Sequence, residues 1–410
     1  MKNSYWLTNL RLLDCRAGRL IAGKSVHIRD GVIDEVVEDA HPVTGAVFDL
    51  GNRVLMPGLI DCHVHVTAVK LNLAPGKELP TSLVTARSSR VMREMLLRGF
   101  TSVRDAGGAD LGLKRAVEEG LFQGPRLFIC GRAISQTGGH GDFRAQIDQP
   151  NVHEMEHTLN GIGRIADGVP EVRRATRDEL RLGADHVKIM ASGGVASVAD
   201  PIDFLQYSDE ELAAFVDEAR RARTYVMAHT YTADAVERCV RAGVRTIEHG
   251  NLIDKPTAEL MAARGAYLVP TLVTYDALAR EGRNLGFSEV SLSKLERVLA
   301  VGSDSLRIAQ AAGVKMAYGS DLLGELHRCQ LDEFRLRSAV LSAPELIRSA
   351  TSLGAEVVGM EGKLGVIAPG AYADMLVLDE NPLEDINVLT DPTKNIRAII
   401  KHGEFVKREI

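Results

Sequence analysis

The chain has 410 residues, 45% of them apolar and 25% charged, with a formal net charge of −6. That length accommodates one large catalytic domain and a smaller one, in an ordinary globular composition. The acidic balance excludes a basic nucleic-acid footprint and a polybasic membrane patch, and no run approaches the roughly 18 apolar residues of a membrane span.

The opening segment, MKNSYWLTNLRLLDC, lacks the apolar core and small-residue cleavage site of a signal peptide. Residues 1–57 read as short strands. Ser25 to Glu38 forms two alternating runs broken by Asp30-Gly31, a hairpin turn signal. Residues 58–361 then alternate strand and helix. Apolar runs occur at 59–66, 99–105, 126–134, 184–191, 224–229, 244–248, 266–272 and 314–320. Ser208 with Glu211 three positions on is a capping box opening a helix. Residues 136–175 are long, mixed and glycine-bearing, and predict an elaborated loop with some helix around 151–160. Residues 362–410 return to strands, with a turn at His402-Gly403. Eight strands alternating with helices predict an α/β fold, a (β/α)₈ barrel over 58–361. The ends, 1–57 plus 362–410, predict one small β-sandwich domain. Cys15, Cys62, Cys130, Cys239 and Cys329 are odd in number and scattered. They match no disulfide framework or Cys zinc site, and predict reduced thiols in a cytoplasmic protein.

His63 and His65 lie two apart on a strand, so both side chains project to one face, where imidazoles can share a metal. Alone, such a pair reads equally as structural. Four more residues change that reading. Lys188 sits inside an apolar strand, His229 ends VMAH, His249 ends RTIEH and Asp321 ends KMAYGSD. These fall at the ends of strands four, five, six and eight, and the C-terminal face of such a barrel holds its active site. Imidazoles and a carboxylate suit zinc and similar divalent ions. An ammonium cannot ligate a metal. A desolvated lysine beside cations loses its proton well below its free value of about 10.4, and its neutral amine can add carbon dioxide to become a bridging carbamate. Two metals sharing a water lower its pKa toward ~7. Asp321 could then accept the proton and pass it to a leaving amine.

The motifs PGLIDCHVH (57–65), VKIMASGG (187–194), AHTY (228–231), IEHGN (247–251), YGSD (318–321) and PGAYADMLVLD (369–379) together resemble the amidohydrolase superfamily over nearly the whole chain. Within it they are similar to the imidazolonepropionase-related branch with Xaa-Pro dipeptidases (prolidases) and carboxypeptidases. The resemblance implies two zinc ions bridged by N6-carboxylysine at Lys188. His63, His65 and Asp321 would hold one ion, and His229 and His249 the other. It further implies that His140 polarises the scissile carbonyl and that Tyr231 binds the substrate α-carboxylate. The strand-four lysine argues against the one-metal deaminases and imidazolonepropionase.

Several residues remain open. Ser192-Gly193-Gly194 reads as room for substrate or as a plain turn, and Arg104-Asp105 as support behind the metal ligands or, preferably, as an ion pair in the barrel. His153, His157, His186 and His327 are not expected to be ligands. Cys62 points to the opposite strand face. Residues 273–289 are expected to line a side-chain pocket, with Tyr275 and Leu278 favouring a compact apolar group and Arg280 or Arg283 as alternative carboxylate binders.

The expected activity is metal-dependent hydrolysis of a dipeptide or N-acyl amino acid with a free α-carboxylate, favouring Xaa-Pro or a small apolar C-terminal residue. A homo-oligomer is expected, with no nucleic-acid or membrane partner. The alternatives are a cyclic-amide hydrolase or deaminase, a carboxypeptidase for basic residues, and a catalytically silent scaffold.

Overall fold

The computed structural model describes residues 4–38, 45–71, 79–144, 162–197 and 200–410. The amino-terminal strands are β1 (Ser4–Asp14), β2 (Arg19–Arg29), β3 (Val32–Glu38) and β4 (Ala46–Pro57). The central strands are β5 (Leu59–Val64), β6 (Phe100–Asp105), β7 (Arg126–Phe128), β8 (Ala133–Ser135), β9 (Gly163–Ile165) and β10 (Val187–Met190). They continue with β11 (Val226–Thr232), β12 (Thr246–Leu252), β13 (Tyr267–Val269) and β14 (Lys315–Met316). The carboxy-terminal strands are β15 (Met375–Leu378), β16 (Ile396–Lys401) and β17 (Glu404–Arg408).

The terminal strands pair as one seven-stranded sheet, in the order β17-β16-β15-β4-β1-β2-β3. Both turns read from the sequence form with two consecutive positive φ values: Asp30 at 51° and Gly31 at 81°, His402 at 51° and Gly403 at 74°. This geometry matches the right-handed twist of the flanking strands. A sandwich of two sheets was expected; a single sheet folds over its own core instead. Register shifts in the β1–β2 and β1–β4 pairings coil it. Tyr5 of β1 thereby meets Phe405 of β17 at 5.5 Å between ring centroids, and its hydroxyl donates to the Gly403 carbonyl at 3.0 Å. Leu7, Val26, Ile28, Leu55, Met375 and Val377 fill the space enclosed.

The middle of the chain forms two parallel sheets, β14-β13-β12-β11-β10-β8-β9 and β5-β6-β7. Parallel neighbours need helical crossovers, and helices such as Asp209–Arg221, Ala233–Ala242 and Lys255–Arg264 supply them. The Ser208–Glu211 capping box is present. The run at 126–134 is not one strand. It breaks into β7 and β8, which lie in different sheets, with Gly131 at φ 69° between them. Backbone hydrogen bonds join the two sheets at two places. The Cys62 amide donates to Tyr318 O at 2.8 Å, and the Asp185 amide donates to Ile129 O at 2.7 Å. The later part of the expected loop is ordered as β9 and helix Gly168–Arg181. The helix expected near 151–160, with His153 and His157, lies outside the described residues. The five cysteines are buried and unbridged. Among the described residues, no helix is long and apolar enough to cross a membrane.

Candidate active site

β5 is buried along its whole length, so its two-residue period sends His63 and His65 to one interior face while Cys62 packs among apolar side chains on the other. The next residue to arrive is Asp321, after β14. One of its oxygens, Oδ1, stands 3.3 Å from His63 Nε2 and 3.2 Å from His65 Nε2. Its amide donates to His63 O at 2.8 Å, which ties the two segments together. Ligand atoms of His63, His249 and Asp321 lie within 4.8 Å of one another. The His229 ring is 4.6 Å from that of His249.

One ring nitrogen of each of three histidines is engaged by a neighbour, and in His63 and His65 it is the one facing away from Asp321, whereas His249 Nδ1 also lies 3.9 Å from Asp321 Oδ2. His63 Nδ1 lies 2.7 Å from Glu248 Oε2, His65 Nδ1 2.9 Å from Gly107 O, and His249 Nδ1 2.7 Å from Thr271 Oγ1. Such partners orient an imidazole and select its tautomer, leaving the other nitrogen free for a metal. His229 differs, because its Nε2 lies 3.3 Å from Gly193 O.

Burial sets the charges. It takes His229 and His249 well below the ordinary imidazole range, toward the neutral ligand form. It pushes the Asp321 carboxyl up, but the adjacent His63 and His65 rings outweigh it and hold this group well below the carboxylate range. Lys188 is 1% exposed on β10. Among the described residues its ammonium makes no hydrogen bond or ion pair, and burial lowers its pKa against the opposing pull of Glu248 and Asp321. Three imidazoles each with one nitrogen anchored, an ionised carboxylate and a desolvated amine form a donor set that fits divalent cations.

The remaining expected residues join this centre. His140 stacks on His229, with ring centroids 4.1 Å apart and 16° between planes. Its Nδ1 meets Ser197 Oγ at 2.8 Å and Asp200 Oδ2 at 3.4 Å. Tyr231 stacks on His249 at 5.2 Å, and its hydroxyl lies 2.9 Å from that of Tyr275. Leu278 is buried in the same apolar cluster as both tyrosines. Gly194 packs against His140 so closely that an added Cβ would fall 2.1 Å from the ring.

Arg280 and Arg283 do not reach the centre. Arg280 pairs with Asp276 at 3.0 Å and Asp332 at 3.4 Å, and Arg283 with Glu289 at 2.9 Å, all near the surface. His186 stacks on Tyr225, and His327 Nε2 lies 3.2 Å from Ala68 O, so neither joins the cluster.

Arg104 does not pair with Asp105. It donates to Glu248 Oε1 at 2.9 Å and to Cys62 O at 2.6 Å, while Asp105 accepts amides of Val66, Gly107 and Ala109. Glu248 is the site residue the sequence reading missed. It is fully buried, and it links Arg104 to His63. Burial raises its carboxyl, but Arg104 and His63 overcome this and keep it ionised. The signal was a glutamate inside an apolar strand directly before His249. It was passed over because adjacent strand residues face opposite ways. His249 has φ 73°, which breaks the alternation and turns both Glu248 and His249 inward. Asp61, two before His63, was likewise missed. It accepts from Ser320 Oγ at 2.6 Å and Gln330 Nε2 at 2.9 Å.

Comparison with known proteins agrees with this arrangement. Residues 54–406 match the model of the Amidohydrolase family. A prolidase solved in complex with N-methylphosphonate-L-proline is 50% identical, with TM-score 0.97 over 99% of this chain and 100% of that one. A Xaa-Pro dipeptidase solved with bound methionine is 30% identical, with TM-score 0.88 over 98% and 100%. Ochratoxinase of Aspergillus niger is 35% identical over 367 residues, 86% of this chain and 76% of the relative. The chain belongs to the amidohydrolase family.

Proposed function

We propose that this chain is a two-metal hydrolase of the amide bond in dipeptides or N-acyl amino acids with a free α-carboxylate, with Xaa-Pro or a small apolar C-terminal residue preferred. In this reading β5, β6, the broken strand β7/β8 and β10 to β14 form one closed eight-stranded barrel over 58–361, with β9 outside the ring, and 1–57 with 362–410 form a separate domain. The observation that carries the proposal is the convergence of His63, His65, His249 and Asp321 in the same interior as the desolvated Lys188. The likeness to a prolidase at 50% identity supports the substrate class.

His63, His65 and Asp321 would hold one divalent ion and His229 and His249 the other, with zinc the expected metal. Lys188 joins them as N6-carboxylysine: its neutral amine adds carbon dioxide, forms the N–C bond and releases one proton. Bound there, the ions would supply Lewis acidity toward the amide carbonyl and lower the pKa of a water. Asp321 would take the proton of the attacking water as the water oxygen bonds to the carbonyl carbon. It gives the proton to the nitrogen as the C–N bond breaks. His140 donates to the carbonyl oxygen, where negative charge develops. Tyr231 donates to the α-carboxylate and so places the scissile bond.

A dipeptide library assayed with the zinc-loaded protein tests this. The expected result is cleavage of Xaa-Pro or Xaa-apolar members, with two zinc per chain by elemental analysis. No cleavage of any such dipeptide refutes the substrate class. Fewer than about 1.5 zinc per chain refutes the two-metal centre.

A further inference from the structure

We infer that Lys294, on the helix Glu289–Leu299, is a positioning residue for His140. The inference uses the proposed function only in giving His140 a part in turnover.

Lys294 Nζ donates to three carbonyls of one distant loop: Gly194 O at 3.0 Å, Ser197 O at 2.9 Å and Asp200 O at 2.5 Å. An ammonium has three N–H donors, and all three go to the connection between β10 and the helix Asp209–Arg221. Leu295 and Val298, on the same helix, pack in one apolar cluster with Val195 and Ile202 of that loop. The helix is therefore seated on the loop through both its cation and its apolar face.

The loop in turn holds His140. Ser197 Oγ and Asp200 Oδ2 flank His140 Nδ1, and Gln206 Oε1 accepts the His140 amide at 3.1 Å. Asp200 Oδ2 also accepts the Gly194 amide at 2.9 Å. Gly194 lies against one part of the ring and His229 stacks on its face. Two of the three carbonyls that Lys294 grips belong to Ser197 and Asp200, the residues that meet His140 Nδ1. Releasing the ammonium frees the backbone that places both partners, and a displacement of ~1 Å at such a group can cost on the order of 100-fold in rate. The sequence alone presents Lys294 as one more cation on an amphipathic helix, roughly a hundred residues from the loop it holds.

The test uses full-length, zinc-loaded protein and the variants Lys294→Met and Lys294→Arg. In Lys294→Met, hydrogen exchange at the Gly193, Gly194 and Gln206 amides should accelerate at least about 10-fold while β12 amides stay unchanged. For a dipeptide the wild type cleaves, kcat should fall about 10- to 100-fold with KM within about 3-fold and zinc content unchanged. Lys294→Arg, which keeps the charge, should recover part of both effects, and it carries the same test if the methionine variant does not fold. In a His140→Ala background, Lys294→Met should cost less than about 2-fold, because a residue acting through His140 has nothing left to position. Unchanged exchange at the three amides overturns the proposal, and so does a full additional loss in the His140→Ala background. If the wild type cleaves no dipeptide, the functional reading fails and the exchange result alone decides the role of Lys294.

Discussion

The terminal sheet and the interior mouth of the parallel sheets are both buried, yet they use burial differently. In the terminal sheet, Leu7, Ile28, Leu55 and Val377 are fully enclosed apolar side chains. Its left-handed residues are Asn9, Asp30, Asn52 and His402 with glycines, nearly all types that tolerate such turns. At the mouth, the left-handed residues are His249, Thr271 and Asp321. Thr271 is β-branched, so φ 48° is costly there, and it persists because its hydroxyl holds His249. The buried groups around it are imidazoles, carboxylates, an arginine and a lysine. One region spends its interior on cohesion. The other accepts backbone strain and charge burial to aim side chains at a point.

Five measurements can break or sharpen that contrast. The largest effect is expected for Lys188→Ala, which should lose bound metal and lower kcat/KM by at least about 1000-fold, with partial rescue by added short carboxylates. Elemental analysis and kinetics check it, and full zinc retention in this variant would remove Lys188 from the metal centre. Next is Glu248→Ala, which strands the buried Arg104 charge and should cost about 3–5 kcal/mol of stability along with activity. Denaturant midpoints of the apo protein measure the first loss separately from the second. Ile28→Ala, in the terminal sheet, should cost about 2–5 kcal/mol through a cavity. It should leave kcat/KM of the folded fraction unchanged, and a parallel loss of activity would erase the contrast between the regions.

The fourth concerns pH. Burial lowers the His327 imidazole to about 3. Between its unfolded value of about 6.5 and that folded value, the unfolded chain binds a proton that the folded chain excludes. Stability from this group is fully present above about 6.5 and is lost as pH falls, by up to about 1.4 kcal/mol per unit. Unfolding curves from pH 7 to 5 at matched metal content should show a shallower decline for His327→Gln, and identical slopes would contradict the assignment. The smallest effect is Arg280→Ala. Its ion pairs with Asp276 and Asp332 are near the surface, so stability should change by less than about 1 kcal/mol. KM for dipeptides should not move, and a large rise would restore Arg280 as a carboxylate binder.

Much of this architecture is legible in the sequence. The turns at Asp30-Gly31 and His402-Gly403 depend on local backbone preference, and the helix cap at Ser208 on a contact three residues away, so short-range sequence suffices for them. His63 and His65 share a face because the period of a strand is two. The split of 126–134 into two strands was not legible, because an apolar run does not say where its pairing partner changes. Nor was the single rolled sheet, because strand count and alternation are the same for one sheet folded over and for two sheets stacked.

Sequence by itself determined which side chains could do chemistry: the imidazoles, the carboxylate at 321 and the lysine set in an apolar strand. Periodicity placed them on the interior face. Tertiary structure alone decided how those groups are held. Glu248 reaches His63 only because the backbone at His249 leaves the strand geometry, and Lys294 reaches its loop across roughly a hundred residues of chain. The physical reason is range. Strand period and turn preference act over two to four residues, whereas the hydrogen bonds that aim His63, His140 and His249 join segments brought together by folding.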